Sequence, residues 1–536
     1  MGLLGRGGSL ARPFLLPLAV LGIWLACALP SLERSRLQDV DELLYARWAQ
    51  AAALQGRWWP LQMQGRALSE KPPLLIWMAG ATARAAGRPY DAWPYRVWTC
   101  LAAGMALAAL AALGLAVGEP GSGLLAALAL ALQGDFVFHA RFFTMDAPFL
   151  ACALAALAFS ARAAGGGRQR HWWLAGACLA LAVWFKSWFV LALAPAWGWA
   201  LFAALPRERR GRAALALALP PFAALGLWLA LYVDWNGWSF LAEEWGFNLA
   251  GRALGRANQA DPEGHALFYL KWAAQSAPAL LPWALATPLV LAPQAGASAP
   301  AGGERGLSFS RHWTWALCLS WLLGMALVRA ETINYPLPLE AGLCLGLGLE
   351  LSRLRRDPGA WLCAWLCAGL LALGLAAAWG LWDPAWPLAL GALLALLALA
   401  ARARGLGEPL RSPRIPGIGG GTAGRWACAI LGLLLVLRLG GQAWGLLARP
   451  LDGNRQLAGL LQAHPARRDG ETLLVLGPPT QAVDFYGAYA VQRLAALPAG
   501  RPAAATLVDT RQGWIFYPPW DAPAGRGPGP QTRETP

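Results

Sequence analysis

Charged side chains of opposite sign occur together in a chain that otherwise carries little charge. The stretch "SEKPP" puts Glu70 beside Lys71 and follows them with two prolines, directly before an apolar run. Only two further lysines, Lys186 and Lys271, occur in the chain. A fixed cation stabilises negative charge best where water is scarce, and a carboxylate can take a proton from a hydroxyl within hydrogen-bond reach. These residue types therefore suit a reaction that develops an anion.

Three other acids stand at sites where chemistry and helix formation both explain them. Asp41 and Glu42 begin the predicted helix "DELLYARWAQ", and Asp146 opens an apolar run in "FTMDAPF". Acids are common in a first helical turn because they complement the helix dipole. Asp146, with Pro148 close behind it, could simply be an N-cap. Capping and catalysis are compatible, so both interpretations remain open at this stage.

The composition identifies the environment of these residues. The 536-residue chain is 57% hydrophobic and 14% charged, and its mean hydropathy is +0.42. A soluble domain carries about 25% charged residues, so most of this surface must face lipid. The formal charge of +15 lies in arginine clusters between apolar runs, such as 207–212 and 353–356. This is the positive-inside pattern of membrane proteins, and it gives no reason to expect a nucleic-acid partner.

Apolar runs of about 17–25 residues, each long enough to cross a bilayer, recur as far as residue 446. The first resembles a secretory signal peptide but is interpreted as an uncleaved span because the chain continues as a membrane protein. The sequence predicts thirteen spans, at 13–29, 96–117, 121–138, 147–163, 171–184, 185–205, 213–233, 278–294, 314–330, 335–352, 359–380, 385–402 and 425–446.

Two segments within this pattern are ambiguous. The segment 74–87 is short for a span and suits a helix that lies along the membrane surface. The spans 171–184 and 185–205 could instead merge into one long bent helix. The nine cysteines form no metal-binding pattern, and core filling is their expected role.

The predicted fold class is an all-α polytopic membrane protein with a small C-terminal α/β soluble domain. Residues 1–446 form the transmembrane domain, and 447–520 alternate short β-like runs with turns on the extracytoplasmic side. Residues 521–536 have the composition of a disordered tail. The acids and lysines described above all fall at or near the extracytoplasmic face.

The order of several motifs along residues 10–350 resembles the polyprenyl-phosphate-dependent glycosyltransferases of the GT-C type. The resemblance is closest to the aminoarabinose transferase branch, which is similar in turn to protein O-mannosyltransferases. The motifs are "DELLYA" (41–46), "EKPPLLIW" (70–77), "RVWTCLAAG" (96–104), "FTMDAPF" (143–149), "WFKSWFVLALAP" (184–195), and "HALFYLKW" followed by "LLPWAL" (265–285).

The resemblance implies an inverting transfer of a sugar from a polyprenyl phosphate to a lipid A-like lipid, a glycan or a protein. It places the enzyme in the bacterial cytoplasmic membrane, with its active site on the periplasmic side and with interfacial helices in the first loop. Positive charge would stabilise the leaving phosphate. The expected donor-binding residues are Lys71, Arg96, Lys186, Arg256 and Tyr335.

Carboxylates have the opposite role in such a transfer. Asp41 is the expected base, with Glu42 or Asp146 in support. If the acceptor is already an anion, Asp41 would instead orient the sugar or the acceptor. The resemblance also implies that Glu70 and His265 can share a divalent ion such as zinc. Alternatively, Glu70 pairs with Lys71 and His265 is a structural hydrogen bonder.

Two departures from the family pattern fall near the expected site. Leu44 stands where relatives often have arginine, and Ser187-Trp188 replaces the usual Gly-Pro after Lys186. A polytopic transporter or lipid flippase is the alternative class of protein. Such a protein would place charged residues or broken helices near the middle of the membrane, whereas here the acids and lysines gather at one face.

Overall fold

A computed structural model describes part of the chain. It covers residues 12–32, 37, 41–63, 66–68, 71–243, 302–327 and 337–354, together with four C-terminal strands. The predicted spans 278–294, 359–380, 385–402 and 425–446 lie outside the described residues.

The described part of the first 354 residues is almost entirely helical. Alanine and leucine, which are strong helix formers, dominate its apolar runs, and a helix satisfies its own backbone hydrogen bonds in lipid. The helices are α1 (Arg12–Ala28), α2 (Asp41–Gln55), α3 (Leu74–Ala85), α4 (Trp93–Ala116), α5 (Pro120–Ala131), α6 (Gly134–Arg141), α7 (Asp146–Ala164), α8 (Arg170–Lys186), α9 (Ala194–Ala204), α10 (Arg207–Asn236), α11 (Ser239–Glu243), α12 (Gly302–Leu327) and α13 (Leu337–Leu354).

Two of the connections between these helices contain 3₁₀ turns. A 3₁₀ turn, Leu29–Ser31, follows α1, and a longer one, Ser187–Leu193, joins α8 to α9. Between α2 and α3, the two-residue strands β1 (Gln62–Met63) and β2 (Arg66–Ala67) pair antiparallel.

Four helical stretches of the described chain are long and apolar enough to cross a membrane. They are α4, α7, the continuous stretch Arg170–Ala204 and α10. Helix α3 has 12 residues, which agrees with the prediction that segment 74–87 is too short to span the membrane. The protein is a multi-pass membrane protein.

One predicted span, 121–138, is broken in the structure. Helices α5 and α6 bend by 73° at the junction between them. Gln133 has an extended backbone there, with φ −77° and ψ 132°, and its side-chain Nε2 donates to the Ala129 carbonyl at 3.0 Å. The polar sequence Gln133-Gly134-Asp135 interrupts the apolar run, and glycine is a poor helix former. The predicted span 121–138 thus corresponds to two helices with a bend between them, and whether they cross the membrane as one span stays a prediction.

The stretch from α8 to α9 is continuous in helical structure but reverses its direction. Lys186, at the end of α8, bonds Asp146 at the first residue of α7. Trp197 of α9 donates its Nε1 hydrogen to Ser160 at 3.2 Å, and Ser160 lies about 21 Å further along α7 at 1.5 Å per residue. The chain therefore turns back at Ser187, whose φ of 42° is rare for a residue other than glycine. The two limbs correspond to the two predicted spans.

Small residues let the helices approach closely. A methyl group added at Gly176 of α8 would lie 2.1 Å from the Ala216 carbonyl oxygen of α10. A methyl group added at Gly123 of α5 would likewise lie 2.4 Å from the Leu110 carbonyl oxygen of α4. Such contacts are typical of membrane helices, whose association depends on close packing rather than on a hydrophobic driving force.

The C-terminal strands form a four-stranded sheet. They are β3 (Thr472–Leu476), β4 (Ala490–Leu494), β5 (Ala505–Thr510) and β6 (Gly513–Tyr517), in the order β4-β3-β5-β6. β3 pairs parallel with β4 and with β5, and β5 pairs antiparallel with β6. Parallel neighbours need crossover connections, as the predicted α/β organisation of 447–520 requires. That domain stays a prediction, because the segments between the strands lie outside the described residues.

Candidate active site

A buried ion pair anchors the first loop to α4. The Arg96 guanidinium donates from Nε to Glu42 Oε1 at 2.7 Å and from Nη2 to Glu42 Oε2 at 2.8 Å. Both residues are almost completely buried. Arg96 also donates from Nη1 to the Leu32 carbonyl at 3.1 Å, and Glu42 Oε1 accepts the Phe143 backbone N–H at 3.0 Å. This two-pronged geometry is the strongest form of a charge-assisted hydrogen bond.

The pairing bears on the predicted roles of both residues. Glu42 was expected to support catalysis, and Arg96 was expected to bind the donor phosphate. In the structure the charge of each side chain is neutralised by the other in the protein interior. Their predicted direct roles stay predictions, while the geometry favours a positioning role. The pair fixes the first turn of α2, where the half-buried Asp41 stands next to Glu42.

A second ion pair joins the start of α7 to the end of α8. Lys186 Nζ donates to Asp146 Oδ1, and the side chains keep only 11% and 6% of their exposure. Lys186 Nζ also lies 4.2 Å from the centroid of the Phe189 ring, a cation–π distance. Met145, rather than Asp146, occupies the N-cap position. The Asp146 carboxylate is therefore directed to Lys186, and the simple N-cap interpretation does not hold.

Lys71 belongs to the same part of the molecule. Its charge acts electrostatically on the Asp146 carboxylate. Its backbone carbonyl accepts a hydrogen bond from the Tyr232 hydroxyl, and Asn236 Nδ2 donates to the Leu68 carbonyl at 3.2 Å. The last turns of α10 thus hold the segment that leads into Lys71.

Sequence reasoning missed these two α10 residues. Tyr232 and Asn236 lie one turn apart in "LYVDWNG", where the apolar run ends and polar residues return. That change of composition was the available signal, but it could not indicate a partner more than 160 residues away.

The segment 142–146 links the two ion pairs. The Phe142 ring centroid lies 5.6 Å from the Arg96 guanidinium carbon, and the Phe143 N–H binds Glu42. Asp146 follows three residues later and binds Lys186. A displacement of this short segment would disturb both pairs together.

Aromatic side chains pack together near the end of α8, where Lys186 lies. Trp77 of α3 stacks on the half-exposed Trp59 at 5.8 Å between ring centroids and lies 6.4 Å from Trp184 of α8. Trp188, one of the two departures after Lys186, packs edge-on against Trp228 of α10 at 6.1 Å. The departing side chain is thus part of a packed aromatic cluster beside the site.

Several predicted site residues lie outside the described residues. They are Glu70, Arg256, His265 and Tyr335. In the part of the chain that the structure describes, no group of three His, Cys, Asp or Glu side chains could hold a metal ion. The zinc site implied for Glu70 and His265 therefore stays a prediction.

Comparison with known proteins identifies the fold. Residues 70–228, which include Lys71, Arg96, Asp146 and Lys186, match the family model of dolichyl-phosphate-mannose-protein mannosyltransferase. The crystal structure of ArnT from Cupriavidus metallidurans bound to undecaprenyl phosphate superposes with a TM-score of 0.60. It has 16% sequence identity over 92% of each chain. This chain has a GT-C fold. The predicted resemblance to the polyprenyl-phosphate-dependent GT-C glycosyltransferases is confirmed.

Other solved structures with the GT-C fold agree. ArnT from the same organism in the apo state gives a TM-score of 0.61 at 16% identity, again over 92% of each chain. The apo oligosaccharyltransferase of Archaeoglobus fulgidus gives 0.51 at 11% identity, over 88% of this chain and 63% of that one. No protein with curated annotation matches the chain.

Proposed function

We propose that this GT-C chain transfers a sugar, with inversion, from a polyprenyl-phosphate donor to an extracytoplasmic acceptor. The main support is the convergence of Lys71 and the Asp146–Lys186 pair, which come from three separate segments. The acceptor is a lipid A-like lipid, a glycan or a protein. The site would face the periplasm from the bacterial cytoplasmic membrane, in keeping with the arginine-rich loops on the opposite side.

The two lysines would bind the donor phosphate. As the glycosidic bond breaks, negative charge grows on the phosphate oxygen, and fixed ammonium groups stabilise it without reorganising. Lys186 is held by Asp146 and by the Phe189 ring. The Lys71 backbone is held by Tyr232 and by the conformational restriction of the following prolines. The Lys186 ammonium group and the Lys71 backbone are therefore held in place before the donor binds.

Asp41 would act on the acceptor. Its carboxylate takes the proton of an acceptor hydroxyl while the hydroxyl oxygen attacks the anomeric carbon from the face opposite the phosphate. One C–O bond forms as the bond to the phosphate oxygen breaks, and the phosphate leaves with the electron pair. With an acceptor that is already an anion, Asp41 would orient it instead. The Glu42–Arg96 pair positions the turn that carries Asp41.

A divalent ion would add positive charge at the donor phosphate if Glu70 and His265 hold one. The roles given above to Lys71, Lys186 and Asp41 do not depend on it.

The test is transfer of labelled sugar by purified protein in lipid, with a panel of polyprenyl-phosphate sugars as donors. We expect the wild type to turn over at least one donor, and Asp41→Asn and Lys71→Ala to lower the rate by 10²-fold or more, in the range typical of lost acid–base or charge stabilisation. A matched control is Asp91→Asn, which removes an acid of the same loop that forms a salt bridge with the exposed Arg88. The control should keep its activity.

Other outcomes separate the alternatives. Equal rates for the wild type and both variants would refute the roles of Asp41 and Lys71. If no donor is turned over but the vesicle-embedded protein moves labelled lipid between leaflets, the transporter alternative replaces the proposal.

A further inference from the structure

A second acidic site lies inside the helix bundle. Glu340 of α13 is completely buried, with 0% exposure. Neither of its carboxylate oxygens has a hydrogen-bond partner among the described residues. An isolated buried carboxylate is so costly that it must be neutralised by a proton or by a cation. The mechanism proposed above makes no use of Glu340.

The packing of α13 against α5 locates Glu340 at the break in the fold. A methyl group added at Gly348 would lie 2.3 Å from the Ser122 carbonyl oxygen, which fixes the register of the two helices. Glu340 lies eight residues before Gly348, or about 12 Å along the axis. Gly342, two residues after Glu340, packs on Cys318 of α12, and Trp321, one turn further along α12, contacts Phe189 just after α8 ends. α13 therefore begins at that end of the bundle, whereas α5 begins at the other end, where Gly123 packs on Gly114 near the end of α4. The two helices run antiparallel, and Asp135 acts electrostatically on Glu340 in agreement. Glu340 is therefore level with the junction of α5 and α6.

That junction supplies further oxygen atoms. Gln133 is fully buried, and its Oε1 has no hydrogen-bond partner among the residues described. Its Nε2 is already used by the Ala129 carbonyl, so only the oxygen remains available. The C-terminal end of α5 also carries the negative end of a helix dipole, which favours a cation. Broken helices in other membrane proteins bind cations at such ends.

We propose that Glu340, Asp135 and Gln133 form an intramembrane site for one small positive charge, a sodium ion or a proton. Carboxylate and amide oxygens are hard ligands that suit such ions rather than soft metals. The described chain has no group of three His, Cys, Asp or Glu side chains there, so the site suits a single charge rather than a transition metal. This site is independent of the glycosyltransferase proposal.

The described elements around Glu340 carry several titratable groups, and the basic ones are His139 and Arg141 of α6 and Arg305, Arg311 and His312 of α12. None of them bonds Glu340, because neither carboxylate oxygen has a hydrogen-bond partner among the described residues. Asp135 of α6 acts electrostatically on Glu340, Cys344 lies one turn further along α13, and Cys318 of α12 packs beside Gly342. Neutral thiols supply no positive charge. The charge that compensates Glu340 must therefore come from a bound ion or a proton, as far as the described elements are concerned.

The experiment measures thermal unfolding of the full chain in lipid nanodiscs at mildly alkaline pH. Sodium chloride replaces choline chloride at constant ionic strength. We expect sodium to raise the unfolding midpoint of the wild type by several degrees, because a ligand that binds only the folded state stabilises it. Glu340→Gln should abolish the response, and Asp135→Asn should require roughly tenfold more sodium, as for the loss of one ligand interaction of ordinary strength. Glu208→Gln, an exposed residue of α10, is the matched control and should respond as the wild type does.

The remaining outcomes are also decisive. If the wild type does not respond to sodium, but an infrared band of a protonated carboxyl group is present and disappears in Glu340→Gln, the bound charge is a proton. If Glu340→Gln fails to fold, Asp135→Asn carries the same comparison. An equal sodium response in the wild type and the variants, or the absence of both signals, overturns the proposal. None of these readouts depends on sugar transfer.

Discussion

Buried charges at the candidate active site hold one another, and this determines which residues are available for substrate. Glu42 and Arg96 bond each other through four side-chain atoms, and Arg96 Nη1 and Glu42 Oε1 also bond backbone groups. Asp41, its half-buried neighbour, has a different environment. Of these two adjacent acids, Glu42 has the geometry of a positioning residue, and Asp41 is the one that we propose acts on substrate.

The first prediction concerns the Glu42–Arg96 pair. Arg96→Ala should lower the free energy of unfolding by about 3–5 kcal/mol, because it leaves a buried carboxylate without its partner. The measurement is reversible unfolding in lipid or mixed micelles, with sugar transfer followed in parallel.

The matched control for Arg96→Ala is Arg88→Ala. Arg88 pairs with Asp91 at the surface, with side chains that are 48% and 30% exposed. Loss of such a pair costs about 0–1 kcal/mol. Equal effects of the two substitutions would contradict the buried, positioning character of the Glu42–Arg96 pair.

The sequence predicted most of these residues but not their contacts. Lys71, Asp146 and Lys186 were selected by residue type, by motif order and by their place at the ends of apolar runs, and the structure brings them together. The Glu42–Arg96 bond joins residues 54 positions apart, and pattern within one segment cannot indicate such a pairing. Tyr232 was missed for the same reason.

At the scale of elements, hydropathy predicted where helices occur better than it predicted where they bend. Predicted spans such as 96–117 and 147–163 match α4 and α7 within a few residues. The bend within the predicted span 121–138 was not foreseen, because the hydropathy of the whole run hides a single Gln133 whose side chain and backbone end the helix. The reversal at Ser187 was anticipated as one of two alternatives, and long-range contacts were needed to choose between them.

The second prediction concerns helix packing. Gly176→Leu should lower the free energy of unfolding by about 1–3 kcal/mol or more, because a side chain there collides with the α10 backbone. Thermal unfolding in nanodiscs measures the change. Gly198→Leu, on the neighbouring α9, is the control, since a methyl group at Gly198 meets nothing within 4 Å. If Gly198→Leu were the more damaging substitution, the close approach of α8 and α10 would be refuted.

At the scale of the whole molecule, the reversal at Ser187 determines which loops lie on the same side of the membrane. The loop before α8 and the loop before α10 must lie on one side of the membrane, and the end of α10 on the other. The arginines of both loops fit the cytoplasmic side. A single crossing between residues 170 and 204 would put these loops on opposite sides.

The third prediction tests this arrangement by labelling in a background without other cysteines. Arg168→Cys and Arg209→Cys, both exposed, should react with a membrane-impermeant maleimide only from the cytoplasmic side. Trp238→Cys, at a position that is 78% exposed, should react only from the other side. Opposite labelling of the first two positions would contradict the reversal.

The parts of the fold that could be predicted are those for which composition or motif order gives a strong pattern in the sequence. Lipid imposes a one-dimensional constraint of length and apolarity, so the polytopic class follows from composition alone. Motif order then indicated the GT-C fold, which the structural comparisons confirm. The C-terminal tail carries weaker, shorter patterns, and only its strands can be compared with the prediction.

The shared anchoring of Glu42 also constrains how the protein is made. Glu42 leaves the ribosome 54 residues before Arg96 and 101 residues before Phe143. At about 5–20 residues per second, the carboxylate waits roughly 3–11 s for its first partner. During that interval the nascent loop must remain hydrated at the membrane surface or be sheltered by the insertion machinery. The anchoring of Glu42 thus becomes complete only once the chain up to Phe143, directly before α7, has been made.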